Sequence, residues 1–166
     1  MTQAADALWS FVKRLYAQPG LAQMCLELQD RHGVDVTLLF HLLLLARRSR
    51  SVSPADAAQI EAAAQPWRAA VIDPLRRVRR ELKTMPANYP EAPALRQTIA
   101  ASEIEAERMQ LLFLQNDRTE TQASATPGQA AERSLAAYCT HLGLPADTAA
   151  VVAAHFAAFM HNETDG

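Results

Sequence analysis

Two groups of residues in this sequence have types and spacings suited to chemistry. The first is a basic band. Arg68, Arg76, Arg79 and Lys83 fall within about a quarter-turn of one another at roughly 100° per residue, and Arg77 and Arg80 widen the strip. Between Arg47 and Lys83 there are nine Lys or Arg and four Asp or Glu, a local excess of five positive charges. Guanidiniums in a row grip phosphates, whether of a nucleic acid, a nucleotide or a lipid headgroup, and attract acidic partners. No aromatic residues interleave with the band, so stacking on bases is not supported. The competing use is structural. A turn near residues 86–90 folds the next helix back, which sets Arg68 near Glu107 and Arg76 near Ala100 and Glu103. Glu103 and Glu107, four apart, share one helix side and can neutralise the arginines.

The second group surrounds His41, an imidazole in the middle of the most apolar stretch of the chain. A buried imidazole needs a hydrogen-bond partner and is otherwise a ligand or proton carrier. Glu27, Gln29 and Asp30 can supply that partner. The run Gln29 to Asp35 is the densest polar cluster between two apolar segments, and Asp35 closes it. The simplest reading of the run is a helix stop followed by a helix start. As a site, it implies a pocket for a small enzyme or ligand carrier.

Other chemistries lack their residues. There are no Glu-x-x-His pairs, no His-Glu-x-x-His and no paired Cys motif, so neither a metal site nor a cofactor is expected. Gly-rich phosphate loops and the Gly-x-Ser-x-Gly elbow are missing, and Gly totals only five in 166 residues. The reading leans to a non-catalytic protein. The last two expected helices resemble a helix-turn-helix in spacing. Ala146 to Met160, however, offers no Arg, Lys, Asn or Gln to read bases, so sequence-specific DNA binding is not expected.

Positioning these groups falls to helices. Ala and Leu dominate, and no period-2 alternation is present. A first helix, 4–17, carries Leu8, Phe11, Val12 and Leu15, and Gln18-Pro19-Gly20 ends it with Pro19 opening the second. Gly33 suits the left-handed residue that stops the second helix. Asp35 caps a third, 36–47, which is apolar almost all round and must be central. Ser53-Pro54 starts a fourth, to about 64, and a fifth covers 67–85 with a kink at Asp73-Pro74. The sixth, 91–115, is expected to turn Leu95, Ile99, Ala106, Met109 and Phe113 inward. Residues 116–126 read as a polar linker, 127–160 as a C-terminal helical hairpin packed on the main bundle of 1–115, and 161–166 as a frayed tail. The fold class is therefore all-α: a single compact bundle of about six to eight helices around a central apolar one.

At 166 residues the chain has the size of one domain, and a net charge of −2 argues against a generally basic nucleic-acid binder. Cys25 and Cys139 lie inside apolar helical patterns and read as reduced core residues. The longest apolar run, 38–46, is too short to span a membrane. Met1 to Leu8 has no basic region ahead of an apolar one, so no signal peptide is read and a cytoplasmic setting is expected.

Two stretches, LWSFVKRLYAQPGLAQMCLELQDRHGVDVTLLFHLLLLA (8–46) and WRAAVIDPLRRVRRELK (67–83), resemble a family of small proteobacterial proteins of unknown function, about as long as this one. The family it resembles usually has Asn where this chain has Thr37 and Trp where it has Leu44, so a site built on that amide or indole is not implied here. The resemblance implies a bacterial cytoplasmic protein with its core in the first half of the chain, and it carries no activity.

The functional expectation is a non-catalytic binding or adaptor protein. Arg68, Arg76, Arg79, Arg80 and Lys83 would face a phosphate-bearing ligand or an acidic protein partner. The alternatives are a pocket at His41 with Glu27, Gln29, Asp30 and Asp35, and a homodimer built through the C-terminal hairpin.

Overall fold

The structure, a computed structural model, describes residues 2–85, 89–116 and 119–164. The fold is all-α, as expected, with one minor two-stranded sheet. In chain order the elements are α1 (Thr2–Tyr16), α2 (Leu21–His32), α3 (Val36–Ala46), β1 (Arg50–Ser51), α4 (Pro54–Trp67), a π turn (Arg68–Ile72), α5 (Asp73–Glu81), a 3₁₀ turn (Leu82–Thr84), α6 (Ala92–Gln115), β2 (Gln122–Ala123), α7 (Pro127–His141) and α8 (Ala146–Thr164). The expected rigid turn at 86–90 falls mostly on residues 86–88, which lie outside the described residues.

The centre is α3. Every residue from Val36 to Leu44, and Ala46, is buried, because α2, α4, α6, α7 and α8 all pack against this helix. Its start is fixed by chemistry: Asp35 Oδ1 accepts from the amides of Thr37 at 2.9 Å and Leu38 at 3.1 Å. Just upstream, Gly33 sits at φ 66°, and its amide and that of Val34 close α2 on the carbonyls of Gln29 and Leu28. A side chain other than Gly would be strained in that backbone region.

α8 lays Val152, Phe156, Phe159 and Met160 onto the bundle, where all four are buried, and Phe159 meets Phe11 with ring centroids 6.0 Å apart. The apolar face of the C-terminal hairpin is thus used inside the molecule. α8 extends through Thr164, into the expected tail, while Asp165 and Gly166 lie outside the described residues.

Three features depart from the sequence pattern. First, α4 does not stop at residue 64. It runs through Pro66 to Trp67 and continues through the π turn into α5, forming one rod from Pro54 to Glu81. Pro74 has no N–H to give to the carbonyl four residues back, and its ring crowds that carbonyl. A wider turn relieves both problems, with the Asp73 amide donating to the Arg68 carbonyl five residues back. Second, residues 122–123 are not free linker. They pair antiparallel with 50–51, Arg50 donates to the Thr121 carbonyl and hydroxyl, and the Ser124 amide donates to the Ser49 carbonyl at 2.8 Å. Two-residue strands are too short to leave an alternating signature. Third, α6 is rotated from its expected orientation. Leu95, Met109 and Phe113 are exposed, whereas Glu103 and Gln110 are buried beside Ala106, Leu111 and Leu114.

Candidate functional site

The rotation of α6 follows from what its polar face meets. Asp35, 6% exposed, uses its second oxygen as well as its first: Oδ2 accepts from Arg68 Nη1 at 3.0 Å and from Gln110 Nε2 at 2.7 Å. Its backbone amide donates to the Tyr138 hydroxyl at 3.1 Å. Arg68 also donates through Nη2 to Glu61 Oε1 at 2.8 Å, and the other oxygen of Glu61 lies 3.5 Å from His141 Nε2. One helix cap therefore ties together α3, the π turn, α6 and α7, and a polar face turned inward is the only one that satisfies it.

A second cluster joins α5 to α6. Arg76 Nε donates to Glu103 Oε1 at 3.2 Å, Nη2 donates to Glu107 at 2.9 Å, and Nη1 donates to Asp73 at 3.4 Å. Arg79 donates to both oxygens of Glu103 in a forked arrangement, and Arg80 donates to Asp30 at the surface. The sequence reading paired Arg68 with Glu107. The expected Arg76–Glu103 pair forms, but Glu107 also goes to Arg76, because the turn is centred about two residues later, with α6 starting only at Ala92. Arg68, one π turn back, reaches Asp35 and Glu61.

These surroundings shift several ionisations. For Arg68, burial works against the charge, but the hydrogen bond to Glu61 and the fields of Asp35 and Glu61 more than offset it and hold the guanidinium above its ordinary pKa. The hydrogen bond to Glu103 likewise raises Arg79. Burial pushes the Glu107 carboxyl above the usual carboxylate range, and Glu103 beside it adds to the effect against the opposing pull of Arg76. Burial also raises Tyr138, with Glu61 and Asp35 contributing in the same direction. Burial alone pushes the Cys25 thiol up to about 12, as befits a packed core cysteine.

Of the two groups singled out in the sequence, the α2–α3 junction and part of the basic band face each other across one groove of about 580 Å³, with Gln29 the one proposed pocket residue in its lining. Gln29, Gly33 and Val34 form one wall, and Arg68, Asp73, Arg76, Arg77, Arg80 and Glu81 the other. Asp30 holds the Arg80 side and Asp35 lies behind Arg68. Lys83 is exposed on the 3₁₀ turn, with no ion-pair partner among the described residues. Glu27 faces a different groove, of about 340 Å³, between α2 and α8. His41 belongs to neither: it is 3% exposed, and Gln115 Nε2 donates to its Nδ1 at 3.1 Å.

The sequence reading missed Glu61, Gln110 and Tyr138, three polar members of the buried network. Only α6 carried a usable signal, since Glu103, Glu107, Gln110 and Leu114 recur at four, three and four. Among the described residues no group of three or more His, Cys, Asp or Glu side chains is placed to hold a metal ion, and no helix is long and apolar enough to cross a membrane.

Residues 7–114 match the family model described as "Protein of unknown function (DUF2390)", and the chain belongs to that family. The matched segment runs from α1 almost to the end of α6, so it contains both walls of the groove and all of the Arg–carboxylate pairs between α5 and α6. No curated protein and no solved structure matches the chain.

Proposed function

We propose that this protein is a non-catalytic protein-binding adaptor whose contact surface is the outer, apolar face of the α5–α6 hairpin. One observation carries the reading. Ten large hydrophobic side chains stand exposed among the described residues, and seven of them (Val78, Met85, Tyr89, Leu95, Ile104, Met109 and Phe113) fall between 78 and 113. On α5 and the turn after it, Val78 and Met85 continue the line of the half-buried Val71, Leu75 and Leu82. Along α6, Leu95, Met109 and Phe113 form a line with Ile99 and Ala106. Both helices thus keep an amphipathic pattern whose apolar side is left half open, while charge pairs hold their other side. Apolar patches concentrated in this way mark interaction surfaces, and Phe, Tyr and Met are enriched at the cores of such surfaces. In this reading the arginine band stiffens the hairpin from behind and does not itself make the contact. Lys83, which has no carboxylate partner among the described residues, favours an acidic rim on the partner.

The test is a Leu95→Asp, Phe113→Asp double substitution. A partner captured by the wild-type chain is purified and the complex rebuilt from the two pure proteins. The reading expects the complex to be lost while the variant keeps the wild-type helical circular dichroism and melting temperature. Equal affinity for wild type and variant overturns it.

A further inference from the structure

We infer that the groove between the α2–α3 junction and the rod binds a small, hydroxyl-rich molecule through its phosphate group. This site lies on a different face from the apolar hairpin surface and rests on separate observations.

Its volume, about 580 Å³, falls within the roughly 300–1,000 Å³ of small-molecule sites. Four guanidiniums line it, and their charges and their N–H groups are engaged to different extents. Each guanidinium carries five N–H donors. Arg68 uses two of them on carboxylates, Arg76 three and Arg80 one, and Arg77 has no partner among the described residues. The braced arginines, Arg68 and Arg76, are already immobilised, so a ligand that meets their remaining donors avoids the cost of ordering two long side chains.

The guanidiniums least committed to carboxylates are those of Arg77 and Arg80. They are three residues apart on one helix, which makes their side chains neighbours. Among the described residues Arg80 is held by Asp30 alone, and both side chains of that pair are 52% exposed. Such a pair contributes under about 1 kcal/mol and gives way to a stronger anion. A phosphate offers three acceptor oxygens in a tetrahedral array and can engage two forks together, where a carboxylate fills one.

The rest of the lining describes the body of the ligand. Asp73 and Glu81 are acceptors on the same wall, suited to hydroxyl donors and hostile to a second anionic group. The Gln29 amide faces them from the other wall, and a Cβ added at Gly33 would meet nothing within 4 Å, so the wall there is open. Among the described residues no aromatic side chain lines the groove, which leaves a nucleobase without a stacking surface. These properties select a phosphorylated polyol over a nucleotide.

The experiment is a titration of the ¹⁵N-labelled full chain, followed through the arginine Nε–H signals and the Gly33 amide. The probes are inorganic phosphate, glycerol 3-phosphate and adenosine monophosphate, each against sodium chloride at equal ionic strength. The expected result is saturable shifts at Arg77, Arg80 and Gly33, tightest for glycerol 3-phosphate. Arg77→Ala and Arg80→Ala should each weaken binding about tenfold. Arg133→Ala, an exposed arginine on α7, should leave it unchanged. Shifts that follow chloride equally, or that persist in the Arg77→Ala, Arg80→Ala double variant, overturn the site. Equal affinity for inorganic phosphate and glycerol 3-phosphate overturns the hydroxyl assignment, and tighter binding of adenosine monophosphate overturns the exclusion of nucleotides. The Leu95→Asp, Phe113→Asp variant retains the site, so loss of a protein partner and loss of phosphate binding are read separately.

Discussion

Replacing Asp35 by Ala removes an acceptor that serves four donors at once. The Thr37 and Leu38 amides lose their cap, which costs about 1 kcal/mol. Arg68 loses one of its two carboxylates. Breaking a buried pair from one side costs about 3–5 kcal/mol, and the lower end applies because Arg68 keeps Glu61 and its side chain is 17% exposed toward the groove. Gln110, 1% exposed, is left with an unmatched N–H, a loss of about 1 kcal/mol or more. These effects share partners and overlap, so the total is about 4–5 kcal/mol, against the roughly 5–15 kcal/mol by which a domain is stable. Asp35→Asn keeps the cap and loses the charge, so it should cost about 1 kcal/mol less than the Ala variant. Urea unfolding followed by circular dichroism at 222 nm measures both. With a slope of about 2 kcal/mol per molar, the Ala midpoint falls by about 2 M. A loss under about 1.5 kcal/mol for Asp35→Ala, or an Asn variant as stable as wild type, would refute the view that this cap organises four elements.

Tyr138 holds its proton in the folded state above the ordinary tyrosine value of 10.0, so folded chains retain a proton that unfolded chains release. Its contribution is complete below pH 10 and declines as pH rises beyond it; Tyr138→Phe should flatten that alkaline decline in thermal melts while costing about 1–3 kcal/mol at neutral pH, since the Asp35 amide loses its acceptor. Gly33→Ala meets no steric obstacle, so its cost is the left-handed backbone alone, about 1–2 kcal/mol by chemical denaturation; no change would mean that the φ of 66° is not maintained in solution. Leu95→Asp and Phe113→Asp each alter a side chain that is about half exposed, 51% and 56%, and should shift stability by no more than about 0.5 kcal/mol; a larger loss would place them in the core.

Local chemistry made the helix boundaries near the site readable. Asp35 and Ser53 are cap residues, Gly33 is a stop and Pro54 a start, and each occupies that role. The central helix was equally plain, since eleven residues without a charged side chain have nowhere to go but inside. α6 was misjudged because the hydrophobic pattern assumes that its apolar stripe faces the core. In this helix that stripe competes with a stripe of Glu and Gln whose partners, Arg76, Arg79 and Asp35, are supplied by other elements, and the buried ion pairs decide the orientation. The groove itself was present in the sequence only as two separate clusters. Gln29 to Asp35 and Arg68 to Arg80 are more than thirty residues apart, and only the path of the rod across the α2–α3 junction makes them one site.

The wide turn at Arg68–Ile72 sets a rotation about the helix axis in the middle of the rod. A helix advances about 100° with every residue, so the one extra residue accommodated there fixes the heading of every side chain from Asp73 onward relative to those before Trp67. Deleting Ala70 would remove the residue that the wide turn absorbs and swing Arg76 and Arg79 away from Glu103 while Arg68 stayed with Glu61. A chain shortened by one residue at that point would thus keep every charged group of the hairpin, and lose the alignment that joins the hairpin to the body.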